Sequence, residues 1–227
     1  MYIDPRRAVA AFTMVVAWGA GSVAAGNPTP GTALPDTGYL RITAVAPGYA
    51  GRDASDGRWF VYLEGYIDTG AAARLERVLD KERVRSAVAY FDSPGGHVVE
   101  AMALGRLLRE RRYATSIGAR AADGALPRPG RCYSACPIAF AGGVLRSLEP
   151  GSLLGVHRAE NRVPVPDEPG FQHVVNGQVR DYLAEMGISG EIVTIMSAVP
   201  GDTIRELTAD EAVQFGLVNA GDPGHAN

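Results

Sequence analysis

The sequence predicts an α/β domain in which helices pack around a central, mostly parallel sheet. Short apolar or alternating segments, typical of strands, alternate along the chain with amphipathic segments, typical of helices. The segment SAVAYFDS (86–93) is almost wholly apolar and is followed by Pro-Gly-Gly, which is typical of a strand buried on both faces. In such domains the functional residues lie in the loops after the strand ends.

Each predicted element follows from its own pattern. Strands are predicted at 39–45, 58–67, 86–93, 113–119 and 152–157. Helices are predicted at 68–80, 97–112, 134–143, 171–188 and 190–198, and a short helix followed by a strand at 207–219. Asp68 or Thr69 is the predicted N-cap of the first helix, because a side-chain oxygen there can accept from a free helix N–H.

Composition limits the function classes. Of the 227 residues, 46% are hydrophobic, which suits one domain with a sizeable core. The net charge of −3 argues against nucleic-acid binding, which requires a clustered basic surface.

The N-terminus has the features of an export signal. Arg6 and Arg7 precede an apolar run from Ala8 to Ala25 that ends in small residues. We expect residues 1–25 to be a signal peptide or an uncleaved membrane anchor, because the run approaches the ~20 residues that span a bilayer. A Pro/Gly-rich linker (26–38), a domain (39–220) and a disordered tail (221–227) are expected to follow.

Gly95 and Gly96 lie between the buried strand and the next helix. Backbone N–H groups at a helix start are unpaired, and residues without side chains allow a substrate carbonyl to approach them. The pair is therefore a candidate oxyanion hole, and a plain tight turn is the alternative. A phosphate site is disfavoured, because the chain has neither a Walker lysine nor a GxGxxG motif.

Ser134, within GRCYSACPIAFAGG (130–143), is either a nucleophile or a helix cap. As a nucleophile it would use the N–H of Ala135 as an oxyanion donor, and it would need a base. His157 follows the strand SLLGVH and is the favoured base, since strand tips border the predicted active-site loops. The other candidates considered are Lys81, His97, His173 and His225.

Four segments, in this order, resemble the proteolytic subunit of the Clp protease and its relatives in the ClpP/crotonase superfamily. They are DSPGGHVVEAMALGRLL (92–108), CYSACPIAFAGG (132–143), RSLEPGSLLGVHRA (146–159) and LTADEAVQFGLVN (207–219). The resemblance covers about 58–220 and implies a ClpP/crotonase-like fold of repeated ββα units. The export signal and the cysteine-flanked serine are most similar to the predicted periplasmic branch.

The resemblance implies a role for each site residue. Ser134 matches the nucleophile and His157 the general base, while Gly96, with Gly95 beside it, and Ala135 match the oxyanion-hole donors. These residues would perform acyl transfer on a peptide carbonyl without a cofactor or a metal. The resemblance also implies peptide or protein substrates and self-association, and the N-terminal segment suggests contact with a membrane.

The third member of the triad departs from the family pattern. The family has an aspartate before the last helix, and counting back from Leu207 places that position at Ile204. Asp202 is the preferred substitute, and Glu206 is the other nearby carboxylate.

Cys132 and Cys136 flank the serine. In an exported protein a disulfide between them is favoured over a zinc site shared with His157, for which no fourth ligand is evident.

Two main hypotheses follow. The first is an exported, ATP-independent serine peptidase in the periplasm, either free or anchored to the membrane. The second is a non-catalytic periplasmic binding or scaffold protein that keeps the fold. A crotonase-type acyl-CoA enzyme is disfavoured, because coenzyme A is cytoplasmic.

Overall fold

The computed structural model describes residues 38–48, 57–122, 127–161 and 165–220. The predicted signal or anchor (1–25), most of the predicted linker and the predicted tail (221–227) lie outside these described residues. Within the described ranges, no helix is both long enough and apolar enough to cross a membrane.

The structure contains strands and helices in alternation. The strands are β1 (Leu40–Val45), β2 (Trp59–Gly65), β3 (Ala87–Asp92), β4 (Ala114–Ile117), β5 (Arg131–Tyr133), β6 (Arg146–Leu148), β7 (Leu153–Val156) and β8 (Arg205–Glu206). The helices are α1 (Ala71–Lys81), α2 (Val98–Glu110), α3 (Cys136–Phe140), α4 (Glu168–Glu185), α5 (Glu191–Ala198) and α6 (Ala209–Gln214).

The strands form two sheets. The larger sheet has the order β1-β2-β3-β4-β6, and all its neighbours are parallel except the antiparallel edge pair β1 and β2. The smaller sheet has the order β5-β7-β8, with β5 and β7 parallel and β8 antiparallel to β7. The predicted α/β class with mostly parallel strands is therefore confirmed.

Strand β3 is buried along its whole length, as its apolar sequence predicts. Its side chains contribute to the main core, together with buried residues from α1, α2 and α3. The turn after α3 packs directly on α2. The two segments are so close that a Cβ on Gly142 would collide with the backbone of Gly105. This close packing holds α2 and α3, which both begin at the ends of strands, side by side.

Two local predictions are wrong. Helix α1 begins after Gly70 without a side-chain cap, because the carboxylate of Asp68 instead accepts from the Leu40 N–H at 2.9 Å and pairs with Arg74. The strand predicted after α6 is not formed. There the chain turns back, and the N–H of Asn219 donates to the Arg146 carbonyl at 3.1 Å.

Candidate active site

The ends of β3, β5 and β7 meet at one place. Strand β5 pairs in parallel with β7, so Tyr133 lies opposite Gly155. Ser93, directly after β3, connects to β5 by donating its N–H to the Arg131 carbonyl at 2.7 Å and accepting from the Tyr133 N–H at 3.0 Å. The residues that follow these three strands are the Gly95–Gly96 pair, Ser134 and His157, so distant parts of the sequence converge at one edge.

Ser134 occupies a sharp turn between β5 and α3. Its φ is 63°, in the left-handed region that residues with a side chain rarely adopt. Its N–H donates to the Gly155 carbonyl at 3.1 Å, which fixes the turn against β7. The side chain is buried, and its Oγ makes no hydrogen bond with the described residues. A strained strand-to-helix turn of this kind is a known way to present a nucleophilic serine.

Gly95 and Gly96 can only be glycines in this backbone. Their φ values are 107° and 148°. A Cβ on Gly95 would lie 2.6 Å from Ser134 Cβ and 2.9 Å from Ser134 Oγ, and a Cβ on Gly96 would collide with the Ile67 backbone. Gly95 therefore lies directly against the serine.

The backbone N–H groups around Ser134 differ in their partners. The Gly95 N–H donates to Ser93 Oγ at 3.1 Å, so it is already used. Within the described residues, neither the Gly96 N–H nor the Ala135 N–H donates a hydrogen bond, although both residues are buried. Buried backbone donors are almost always paired in native proteins, so two unpaired ones beside Ser134 are notable. They suit an oxyanion that arrives with a substrate.

His157 directly follows β7 and is 4% exposed. Neither ring nitrogen makes a hydrogen bond of normal length and angle in the described part of the chain, so the Ser134–His157 hydrogen bond is not formed in this structure. Burial lowers the pKa of His157 below its ordinary value, while the negative charge of Glu160 and the adjacent Gly201 backbone partly oppose that decrease. The ring is thereby favoured in its neutral form, which is the form that accepts a proton.

The structure does not bring the predicted carboxylates to His157. Asp202 is exposed and makes no hydrogen bond to the ring. Glu206 accepts from the Tyr133 hydroxyl at 2.6 Å, and burial together with this bond raises the pKa of Tyr133. Ile204, the position implied by the family pattern, packs its side chain against Gly155 of β7.

Glu160 is the carboxylate that the sequence analysis missed. It lies three residues after His157, its carboxyl packs against the backbone of Gly201, and its charge acts on the His157 ring. The signal available in the sequence was the segment HRAE (157–160), whose acid follows the histidine instead of coming from a distant loop.

The other candidate bases lie elsewhere. Lys81 is exposed at the end of α1 beside Glu82, and His173 is exposed on α4. His97 is half-buried and makes an edge contact with the Tyr66 ring, at 5.9 Å between centroids. His225 falls outside the described residues.

A cavity opens beside the serine. Ser134, Ala135 and His157 contribute to its wall, and the rest of the lining comes from α2, α3, α4, α5 and the segment after β7. Those other lining residues are Val98, Ile138, Ala159, Val175, Asn176, Val179, Val193 and Met196. Seven of these eight are apolar, so the wall beside the serine is mainly apolar, and the cavity is small, with a volume of about 10 Å³.

Cys132 and Cys136 form a disulfide, with their Cα atoms 5.1 Å apart. The bridge spans Tyr133, Ser134 and Ala135 and therefore ties β5 to the first residue of α3. Because both sulfurs are in the bridge, they are not zinc ligands, and the described residues include no cluster of His, Cys, Asp and Glu suited to a metal.

Removing the disulfide is expected to destabilise the domain. Replacing both Cys132 and Cys136 by alanine should lower the free energy of unfolding by about 2 kcal/mol, because a short crosslinked loop loses its restraint in the unfolded chain. Urea unfolding of both proteins, with and without dithiothreitol, checks this. The reductant should lower the midpoint of the wild type and leave that of the double variant unchanged. Equal midpoints for wild type and variant without reductant would contradict the prediction.

Comparison with solved structures identifies the fold. A mutant of ClpP1 from Listeria monocytogenes superposes with a TM-score of 0.50 at 17% sequence identity, over 70% of this chain and 88% of that chain. A mutant of the 1510-N membrane-bound stomatin-specific protease superposes with a TM-score of 0.48 at 16% identity, over 70% of this chain and 75% of that chain. No family model and no curated protein matches the sequence. The chain has the ClpP-like fold.

Proposed function

We propose that this ClpP-like chain is an exported serine peptidase that cleaves peptides or unfolded segments without ATP. One observation carries the proposal: Ser134 lies in a left-handed turn beside the unpaired N–H groups of Gly96 and Ala135, and it shares a cavity with His157. A nucleophile, two oxyanion donors and a neutral base are the groups that acyl transfer requires.

In the proposed reaction, Ser134 Oγ attacks the carbonyl carbon of a peptide bond while His157 takes the hydroxyl proton. The negative charge that develops on the carbonyl oxygen is stabilised by the N–H groups of Gly96 and Ala135. The protonated His157 then gives its proton to the leaving amine, and water hydrolyses the acyl-serine by the same steps in reverse order.

The missing Ser134–His157 hydrogen bond is compatible with this mechanism. Catalytic hydrogen bonds are often long or misaligned without substrate and tighten in the substrate complex. Substrate bound against the apolar wall would exclude water from both residues and strengthen their interaction.

Export, substrate and assembly belong to the same proposal. The apolar segment Ala8–Ala25 supports export to the periplasm, either as a cleaved signal or as a membrane anchor. The periplasm has no ATP for an unfoldase, so peptides or unfolded segments are the proposed substrates. By resemblance to the Clp family, the peptidase is proposed to self-associate.

A non-catalytic scaffold is the alternative. It is favoured by the lack of any carboxylate hydrogen-bonded to His157 within the described residues. A scaffold, however, would have no need for two buried, unpaired N–H groups beside a strained serine.

Cleavage of a peptide mixture by the purified full chain, without nucleotide, tests the proposal. Mass spectrometry of the products should show cleavage by the wild type and by His173→Ala, which removes an exposed histidine. The variant His157→Ala should be slower by about 10²–10⁴-fold, since it lacks the general base. No cleavage by the folded wild type, or equal cleavage by both histidine variants, would favour the scaffold.

A further inference from the structure

His157 lacks the partner that a catalytic histidine normally has. A catalytic imidazole is usually held in one orientation and one tautomer by a carboxylate on its second nitrogen. Neither ring nitrogen of His157 makes a hydrogen bond of normal length and angle in the described chain, although the residue is buried and the Gly201 backbone lies close enough to raise its pKa. Buried polar atoms normally have a hydrogen-bond partner, so we expect a polar group to move into contact with one of the two ring nitrogens.

Few of the groups around His157 could become a hydrogen-bond partner of its ring. The cavity wall faces the ring with apolar side chains from α2, α3, α4 and α5, and Asn176 is the uncharged polar residue among them. On the segment before β8, Gly201 lies beside the ring and Asp202 is exposed. Among the described residues, Glu160 is the charged group that raises the pKa of His157, and its own partner is Arg158, at 3.4 Å.

Glu160 is held close to the ring by Gly201. A Cβ at position 201 would overlap the Cδ, Cγ and Oε1 atoms of Glu160, so the carboxyl lies directly on the Gly201 backbone. Gly201 does not have a positive φ, so the backbone conformation at this position does not require glycine. The absence of a side chain instead leaves room for the Glu160 carboxyl. The side chain of Glu160 is 28% exposed, and its bond to Arg158 is long for an ion pair, so the carboxylate can change partners.

We propose that Glu160, lying on the Gly201 backbone, is the positioning carboxylate for His157 and takes the role that the family pattern gives to an aspartate on a separate loop. This inference rests on the proposed function, because positioning matters only if His157 is the base. When substrate binds, the Glu160 carboxylate leaves Arg158 and accepts the N–H of one imidazole nitrogen, while the other nitrogen takes the Ser134 proton. It stabilises the imidazolium that forms when Ser134 loses its proton.

Titration of His157 tests the inference without relying on activity. In the full chain with isotopically labelled histidine, NMR should show the His157 midpoint about one pH unit lower in Glu160→Gln than in wild type, because a nearby negative charge favours the protonated ring. Gly201→Ala should shift the midpoint in the same direction, since the new methyl group displaces the Glu160 side chain. Glu160→Asp should keep most of the wild-type midpoint.

Two further variants complete the test. Glu185→Gln removes an exposed carboxylate paired with Arg106 and should leave the midpoint unchanged. Asp202→Asn tests the carboxylate favoured by the sequence pattern. An unchanged midpoint in both Glu160→Gln and Gly201→Ala, or a shift in Asp202→Asn instead, would overturn the inference.

Acylation by a fluorophosphonate separates this inference from the proposed function. The acylation rate should fall as the pH drops below the His157 midpoint. Glu160→Gln should shift this acid limb of the pH–rate profile to lower pH and should lower the maximal rate about 100-fold. If no variant is acylated but the NMR midpoint shifts, the electrostatic contact stands and the peptidase proposal fails. If acylation occurs and the acid limb of Glu160→Gln lies at the same pH as that of the wild type, the peptidase proposal stands and the positioning role of Glu160 fails.

Discussion

Replacing Ser134 by alanine is expected to lower the rate of peptide hydrolysis by about 10³-fold or more, because only the oxyanion donors and substrate binding remain. The unfolding midpoint should stay close to that of the wild type or rise slightly, since alanine keeps the small volume of the site and has no hydroxyl in the buried turn. Initial rates with a fluorogenic peptide that has an apolar residue before the cleaved bond check the activity, and thermal unfolding checks the fold.

Ser189→Ala is the matched control for this prediction. Ser189 is exposed and its Oγ accepts from the Glu191 N–H at the start of α5, away from the cavity. The control should hydrolyse the peptide at the wild-type rate. Equal rates for Ser134→Ala and Ser189→Ala would mean that any measured hydrolysis does not use Ser134.

Replacing Gly95 by alanine is expected to abolish hydrolysis and to destabilise the domain. The new methyl group would lie 2.6 Å from Ser134 Cβ and 2.8 Å from the Tyr133 carbonyl oxygen, so the nucleophile has to move. The φ of 107° adds a backbone strain of about 1–3 kcal/mol for a residue with a side chain. Peptidase rates and urea unfolding of the variant measure the two effects separately.

Gly177→Ala provides the control for a glycine substitution. Gly177 lies within α4, and a Cβ there meets nothing within 4 Å. Alanine should stabilise this helix by about 0.5–1 kcal/mol and leave the peptidase rate unchanged. A Gly95→Ala variant with wild-type activity would show that Gly95 does not border the reacting serine.

The elements predicted best were those with a strong pattern over several residues. Strand β3 was predictable because both its faces are buried, which produces a continuous apolar run, and α2 because its apolar side chains recur on one face. Strands β5, β6 and β8 were missed because each has only two or three residues, too few for a periodic pattern. Their pairing depends on neighbouring strands that are distant in sequence.

In the site, too, local sequence patterns predicted the individual residues but not how the fold brings them together. The glycines, Ser134 and His157 were predictable as residues that follow strands, since their motifs are local. Their convergence depends on the pairing of β5 with β7 and on the connection through Ser93, which no local pattern contains. Glu160 was missed for a related reason: its relation to His157 depends on Gly201, about forty residues later in the chain.

Whether Ser134 is an activated nucleophile can be measured by mass spectrometry after reaction with a fluorophosphonate. We expect one adduct per chain of wild-type protein, located by peptide mapping on Ser134, and no adduct on Ser134→Ala. A folded wild-type protein without an adduct, or an adduct on another residue that persists in Ser134→Ala, would show that Ser134 is not the nucleophile.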